Sequence, residues 1–243
     1  MNKDIDWNIG CSGFYYKEWK GNFYPAGVPA AKWFSIYCQH FNSLESNVTF
    51  YRMPDVKTLL KWYDESPPDF SFSVKVPRLI THFKKFEDID KDLMSFYGLV
   101  SQGLKNKLAC VLFQFPPSFS FSEERLKRLI ESLSNNFINV VEFRESGWWQ
   151  QEVFDQLQQH NIVFCNISHP KYEDAVIPTS PVSYFRFHGT PDLYKSDYSE
   201  HYLDTIIAGI KANKKSNSAF LYFNNTMSGA AIKNANYVKM RSV

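Results

Sequence analysis

Apolar and polar positions alternate in short runs along the whole chain, and each of eight such runs finishes in a side chain with polar chemistry. In order they are NIGCS ending at Ser12, SLESN carrying Glu45 and Asn47, FSFSVK ending at Lys75, and CVLFQ ending at Gln114. NVVEFR follows with Glu142 and Arg144, then IVFCN with Asn166, SYFRFH with Arg186 and His188, and AFLYFNN with Asn224 and Asn225. Runs of this length, rich in β-branched and aromatic residues and bounded by Pro, Gly or Asn, read as strands.

Helical periodicity fills the intervals. Residues 30–40, 55–65, 90–104 and 122–134 carry it, as do WWQQEVFDQLQQH, YSEHYLDTIIAGIKANK and the closing SGAAIKNANYVKM. Asp55 after Pro54 and Ser122 before Glu123 and Glu124 are N-cap signals. The stretch SHPKYEDAVIPTSPV has three prolines and no helical period, so the sixth helix is expected to be reduced or missing. Eight strands alternating with about seven helices, without a linker, predict an α/β fold: a single (β/α)8 TIM-like barrel over residues 1–243. The rival, an open doubly wound sheet, lacks its GxGxxG signature after the first strand.

Side-chain parity refines the picture, because successive strand residues point to opposite faces. Phe70, Phe72 and Val74 share one face of FSFSVK, and Ser71, Ser73 and Lys75 the other. Val141 and Phe143 turn outward while Val140, Glu142 and Arg144 turn inward; Phe185 and Phe187 oppose Tyr184, Arg186 and His188. Glu45, Asn47, Gln114 and Asn224 go inward by the same rule. The inward polar groups gather at the C-terminal strand ends, where barrels of this type carry their sites.

Composition narrows the partners. The chain is 44% hydrophobic with a formal charge of +2, so no global field calls for a nucleic acid or a membrane surface. No apolar run approaches the ~20 residues of a membrane helix. Cys11, Cys38, Cys110 and Cys165 are far apart in sequence and form no metal-ligand spacing; they read as reduced structural thiols of a cytoplasmic protein.

The stretches IGCSGFYYKEWKGNFYP, FNSLESNVTFYRMP, FSFSVKVPRLITH, VLFQFPPSF, VEFRESGWW, YFRFHG with LYKSDYS, and YFNNTMSGAAIKNA run in order from residue 9 to about 236. Together they resemble the YecE-like family, the domain-of-unknown-function family seventy-two. The resemblance implies a TIM barrel and supplies no activity. Family members often carry Thr where Cys11 stands, which argues against a nucleophilic role for that thiol. They often carry Asp where Asn166 stands, so a carboxylate is missing here.

The expected chemistry follows from the inward set. Lys75, Arg144 and Arg186 outnumber Glu45 and Glu142, with His82 and His188 able to add charge, and the loop PRLITHFKKF adds Arg78, Lys84 and Lys85. A positive cup suits a small phosphate- or carboxylate-bearing anion. Glu142 and His188 are the expected acid/base groups, and Glu45 the second catalytic carboxylate. Asn47, Tyr51, Lys75, His82, Gln114, Arg144, Arg186, Tyr194, Asn224 and Asn225 are the expected ligand-binding residues. Trp19 and Tyr24 are expected to close the first loop, leaving Tyr15, Tyr51 and Tyr194 for a ligand. No cofactor is required by the sequence; a catalytic divalent metal on Glu45, His82, Glu142 and His188 stays open, although HxH, HExxH and DxD spacings are absent. Two other readings stand beside the enzyme: a non-catalytic metabolite-binding barrel and a phosphodiesterase-like nucleic-acid-processing barrel. Oligomeric state is not legible.

Overall fold

A computed structural model describes residues 5–172 and 174–242. The polar-ended runs become β1 (Asp6–Cys11), β2 (Ser43–Ser46), β3 (Ser71–Lys75), β4 (Leu108–Gln114), β5 (Ile138–Glu142), β6 (Val163–Ser168), β7 (Val182–Phe187) and β8 (Ser218–Phe223). All pair in parallel, in the order β1-β8-β7-β6-β5-β4-β3-β2. The helices are α1 (Trp33–His40), the single turn α2 (Val48–Tyr51), α3 (Val56–Glu65), α4 (Asp90–Leu104), α5 (Glu123–Ser132), α6 (Gln151–Gln159), α7 (Glu200–Ala212) and α8 (Ala230–Ser242). Among the described residues none joins β6 to β7, as the prolines of that stretch predict. Asp55 and Ser122 cap α3 and α5 through the amides of Lys57 and Arg125.

The ring closes between β1 and β2, and side chains do most of the closing. One backbone bridge joins Ser12 to Glu45. Below it, the Tyr37 phenol accepts from the Cys11 amide at 2.7 Å and donates to the Ser43 carbonyl at 2.9 Å. Asn42 accepts from the Ile9 amide at 2.9 Å and donates to the Trp7 carbonyl at 2.7 Å, imitating a ladder rung. Gly10 makes this approach feasible: a Cβ there would lie 1.9 Å from the Ser43 carbonyl oxygen.

Parity sorts the core into a shell and a lumen. Phe72, Val74, Val111, Phe113, Val141, Phe143, Phe185 and Phe187 pack outward beneath helix residues such as Leu59, Trp62, Phe96, Leu129, Leu157 and Ile207. The lumen side of β4 to β8 is largely apolar, with Leu112, Val140, Val163, Cys165, Ile167 and Phe220. Its β1–β3 side is a hydroxyl layer in which Tyr222 bonds Ser43 and Ser73, and Ser71 bonds Asn8. A buried hydroxyl needs such a partner to avoid a penalty of about 1–3 kcal/mol.

Candidate functional site

Above the hydroxyl layer the lumen becomes ionic. Arg186, two residues after Tyr184 on the same face of β7, spans to two strands. Its Nη2 donates to Glu45 Oε1 at 2.7 Å and its Nη1 to Glu142 Oε2 at 2.5 Å. Tyr184 donates to the other oxygen of Glu45 at 2.7 Å. Both carboxylates are 0% exposed and Arg186 2%, so each charge needs its partners to remain inside. Burial works to raise the Glu142 carboxyl, but Arg144, Arg186 and His188 outweigh it and hold the group well below the usual carboxylate range.

A second layer rests on the first. Arg144 donates through Nε to Glu142 Oε1, and through Nη2 to Nε2 of His188 at 2.6 Å. A guanidinium only donates, so Nε2 is the accepting nitrogen and the neutral ring carries its proton on Nδ1. Asn224 Nδ2 lies 3.0 Å from Nδ1, and a half-turn of the carboxamide brings its oxygen there to accept from that N–H. Burial, with Arg144 and Arg186 adding to it, keeps the imidazole well below its ordinary pKa despite Glu142.

These layers form the floor of an open cavity of about 1020 Å³. Lys75 enters it from the end of β3, 8% exposed, with Nζ 2.8 Å from Gln114 Oε1 and 3.8 Å from the centroid of the Phe50 ring. Burial and the charge of Arg186 and Arg144 outweigh Glu142 and Glu45 and bring its pKa down to about 7. His82 hangs from the π-helical turn Leu79–Phe83, bonded to Thr81 and set against Phe50, its pKa lowered to about 4 by burial and by Lys75 and Arg78. Tyr15, Tyr51 and Tyr194 are exposed around the mouth, and Arg78 lies over the rings of Tyr51 and Phe83. Trp19 and Tyr24 are buried; Trp19 ties the first loop to the eighth through the Thr226 carbonyl at 3.0 Å.

Of the residues expected at the site, Asn47, Tyr51, Lys75, His82, Gln114, Arg144, Arg186, His188, Tyr194 and Asn224 line the cavity together. Glu45 and Glu142 lie directly beneath it as counter-ions. Asn225 is a correction. Its neighbour Asn224 takes the inward position, so Asn225 turns away and holds the seventh loop through Ser196 and the eighth helix through Asn234. Asn166 also faces outward, bonding the Tyr184 carbonyl and the Ile177 amide where a sixth helix would lie.

The expected acid/base pair is engaged by neighbouring cations. Every oxygen of Glu142 already accepts from a guanidinium, and Nε2 of His188 already accepts from Arg144. In this arrangement Glu142 orients Arg144 and Arg186, and His188 orients Arg144. The carboxylates of Glu45 and Glu142 are taken by guanidinium and phenol donors, so they do not converge with His82 and His188 on a common point; among the described residues no three His, Cys, Asp or Glu side chains form a metal-binding group. Burial pushes the thiols of Cys11, Cys110 and Cys165 up, which keeps them protonated and inert. Sequence reasoning gave Tyr184 and Tyr222 no role, although each stands two residues before a named inward group. Phe50 and Arg52, from the α2 turn, left no periodic signal.

No helix among the described residues is long and apolar enough to cross a membrane. The architecture has known counterparts. A crystallised DUF72 family protein from Thermotoga maritima superposes with a TM-score of 0.87 at 29% identity, covering 97% of this chain and 98% of that one. The curated protein YunF of Bacillus subtilis is 25% identical over 185 residues, 69% of this chain and 66% of its own length. YecE of Escherichia coli K12 is 30% identical over 109 residues, 44% of this chain and 40% of its own. The matches thus span between two fifths and two thirds of these curated relatives. Residues 8–242 match the family described as protein of unknown function DUF72, and with motif, barrel and match in agreement the chain belongs to that family.

Proposed function

We propose that this chain is an enzyme acting on a small anion, phosphate- or carboxylate-bearing, held in the cup at the C-terminal ends of its strands. The sign of the lining carries this reading. Arg52, Lys75, Arg78, Arg144 and Arg186 line the cavity, and among the described residues no Asp or Glu does. The buried carboxylates balance Arg144 and Arg186 from behind, so the positive groups present themselves forward without a competing anion. Nη1 of Arg144 has no protein partner among the described residues and is available to a ligand oxygen. The aromatic rim of Tyr15, Tyr51, Phe83 and Tyr194 suits the flat face of a sugar or ring attached to the anion.

Calorimetric titration with inorganic phosphate, pyruvate and a hexose phosphate, beside glucose and glycerol, tests this. The anions are expected to bind and to raise the melting temperature, whereas the neutral compounds leave it unchanged. Lys75→Met and Arg78→Ala are each expected to weaken the anion about tenfold, the scale of one charge-assisted contact. Equal effects of neutral and anionic compounds would overturn the reading. Binding confined to single-stranded oligonucleotides, falling steeply with salt, would favour nucleic acid instead.

A further inference from the structure

We propose that Lys75 is a covalent catalytic residue, and that the anion it meets carries an aldehyde or ketone which the Nζ amine converts to an iminium ion. The inference rests on the anion-binding reading and names the substrate class within it. Four features of geometry point to Lys75. It is the one lysine among the described residues that line the cavity, placed at a strand end on the rigid barrel. Its Nζ has no carboxylate partner among the described residues; Gln114 is its hydrogen-bonding neighbour and Phe50 its apolar one. Buried Lys107 shows what a structural lysine has here, three oxygen acceptors from Tyr63 and Ser66 around its Nζ, where Lys75 has the one from Gln114. Arg144, finally, offers a fork that can hold the carboxylate or phosphate of the same molecule.

The reaction balances without any further reagent. The free amine adds to the carbonyl carbon; a C–N bond forms as the C=O π bond breaks, and its electron pair moves to oxygen. Counted from the ammonium form, the nitrogen gives up two protons, one on becoming the free amine and one on becoming the iminium, and the oxygen takes up both and leaves as water, so that ammonium plus carbonyl becomes iminium plus water. Hydrolysis reverses the step and restores the amine. A lysine lowered to about 7 is half free amine at neutral pH. An ordinary lysine holds only about one part in 2,500 as amine there. The iminium then withdraws electrons from the neighbouring carbon, which opens proton abstraction or carbon–carbon cleavage at that position.

The test is trapping. The protein is incubated at pH 7 with pyruvate or dihydroxyacetone phosphate and cyanoborohydride, digested, and each lysine-bearing peptide is weighed. The expected result is a reduced adduct on Lys75 at least about a hundredfold above any other lysine, absent with lactate or glycerol phosphate. Lys75→Arg should abolish that adduct, since a guanidinium in place of the amine forms no iminium ion. Phosphate binding without an adduct, or labelling that ignores Lys75→Arg, overturns the covalent role and leaves the anion-binding reading standing. Loss of both phosphate binding and adduct in the wild-type protein overturns both. Melting curves of Lys75→Arg and Lys75→Met distinguish lost chemistry from lost folding.

Discussion

Two cations stand at neighbouring depths of the same barrel and differ in company. Arg186 is enclosed by Glu142 and by Glu45, which the Tyr184 phenol also holds, and almost none of it meets solvent. Lys75 is nearly as deep, yet an amide oxygen and an aromatic face are its neighbours. The first arrangement answers the demands of burial, since every charge is matched. The second leaves a cost unanswered by the protein, which a bound anion or a lost proton would remove. In this molecule the two cations differ in whether their charge is matched, and charge alone does not separate them.

Removing the guanidinium of the matched group should have the largest effect. Arg186→Met strands two carboxylates and is expected to cost about 3–5 kcal/mol in urea denaturation at neutral pH. A loss below about 1 kcal/mol would mean the cluster is hydrated, and the contrast with Lys75 would collapse.

The unmatched group should show itself through pH. Its folded pKa, about 7, lies below the unfolded value of about 10.4. Between these limits the unfolded chain binds the extra proton, so stability rises with pH; the burial penalty is complete below pH 7 and relieved as pH climbs. From pH 7 to 9 the wild type should gain about 2 kcal/mol relative to Lys75→Met, which lacks the group. Parallel stability curves for the two proteins would sink the assignment.

The rim should matter least to folding. Tyr51→Ala and Tyr194→Ala remove exposed rings and are expected to change stability by less than about 0.5 kcal/mol. Their effect belongs to binding, as a severalfold weaker grip on ring-bearing anions than on inorganic phosphate. A melting temperature that drops by many degrees in either variant would assign these rings to the scaffold.

The period-two strands and their parity carried the barrel and most of the cavity lining, because inward and outward positions are fixed by the backbone alone, and three prolines announced that no helix joins β6 to β7 among the described residues. What parity could not supply was pairing. Glu142 and His188 look like acid and base in the sequence, and only the distances reveal that Glu142 accepts from Arg144 and Arg186 and His188 from Arg144. Lys75 reads as one more anion binder until Gln114 and Phe50 are seen as its sole close company. Asn225 was misread for a simpler reason: two adjacent residues were both assigned to one face where alternation admits one. Phe50 and Arg52 come from a single helical turn between β2 and α3, too short for any periodicity to announce.

The seam between β1 and β2 has a bearing on the mouth above it. Elsewhere around the ring, neighbouring strands are spaced by peptide groups, whose dimensions no substitution alters. Here the spacer is a phenol and a carboxamide, reaching across a gap that Gly10 keeps clear. The circumference of the cup is therefore written partly in side chains, and a change at Tyr37 or Asn42 regauges the whole aperture without touching a residue that lines it.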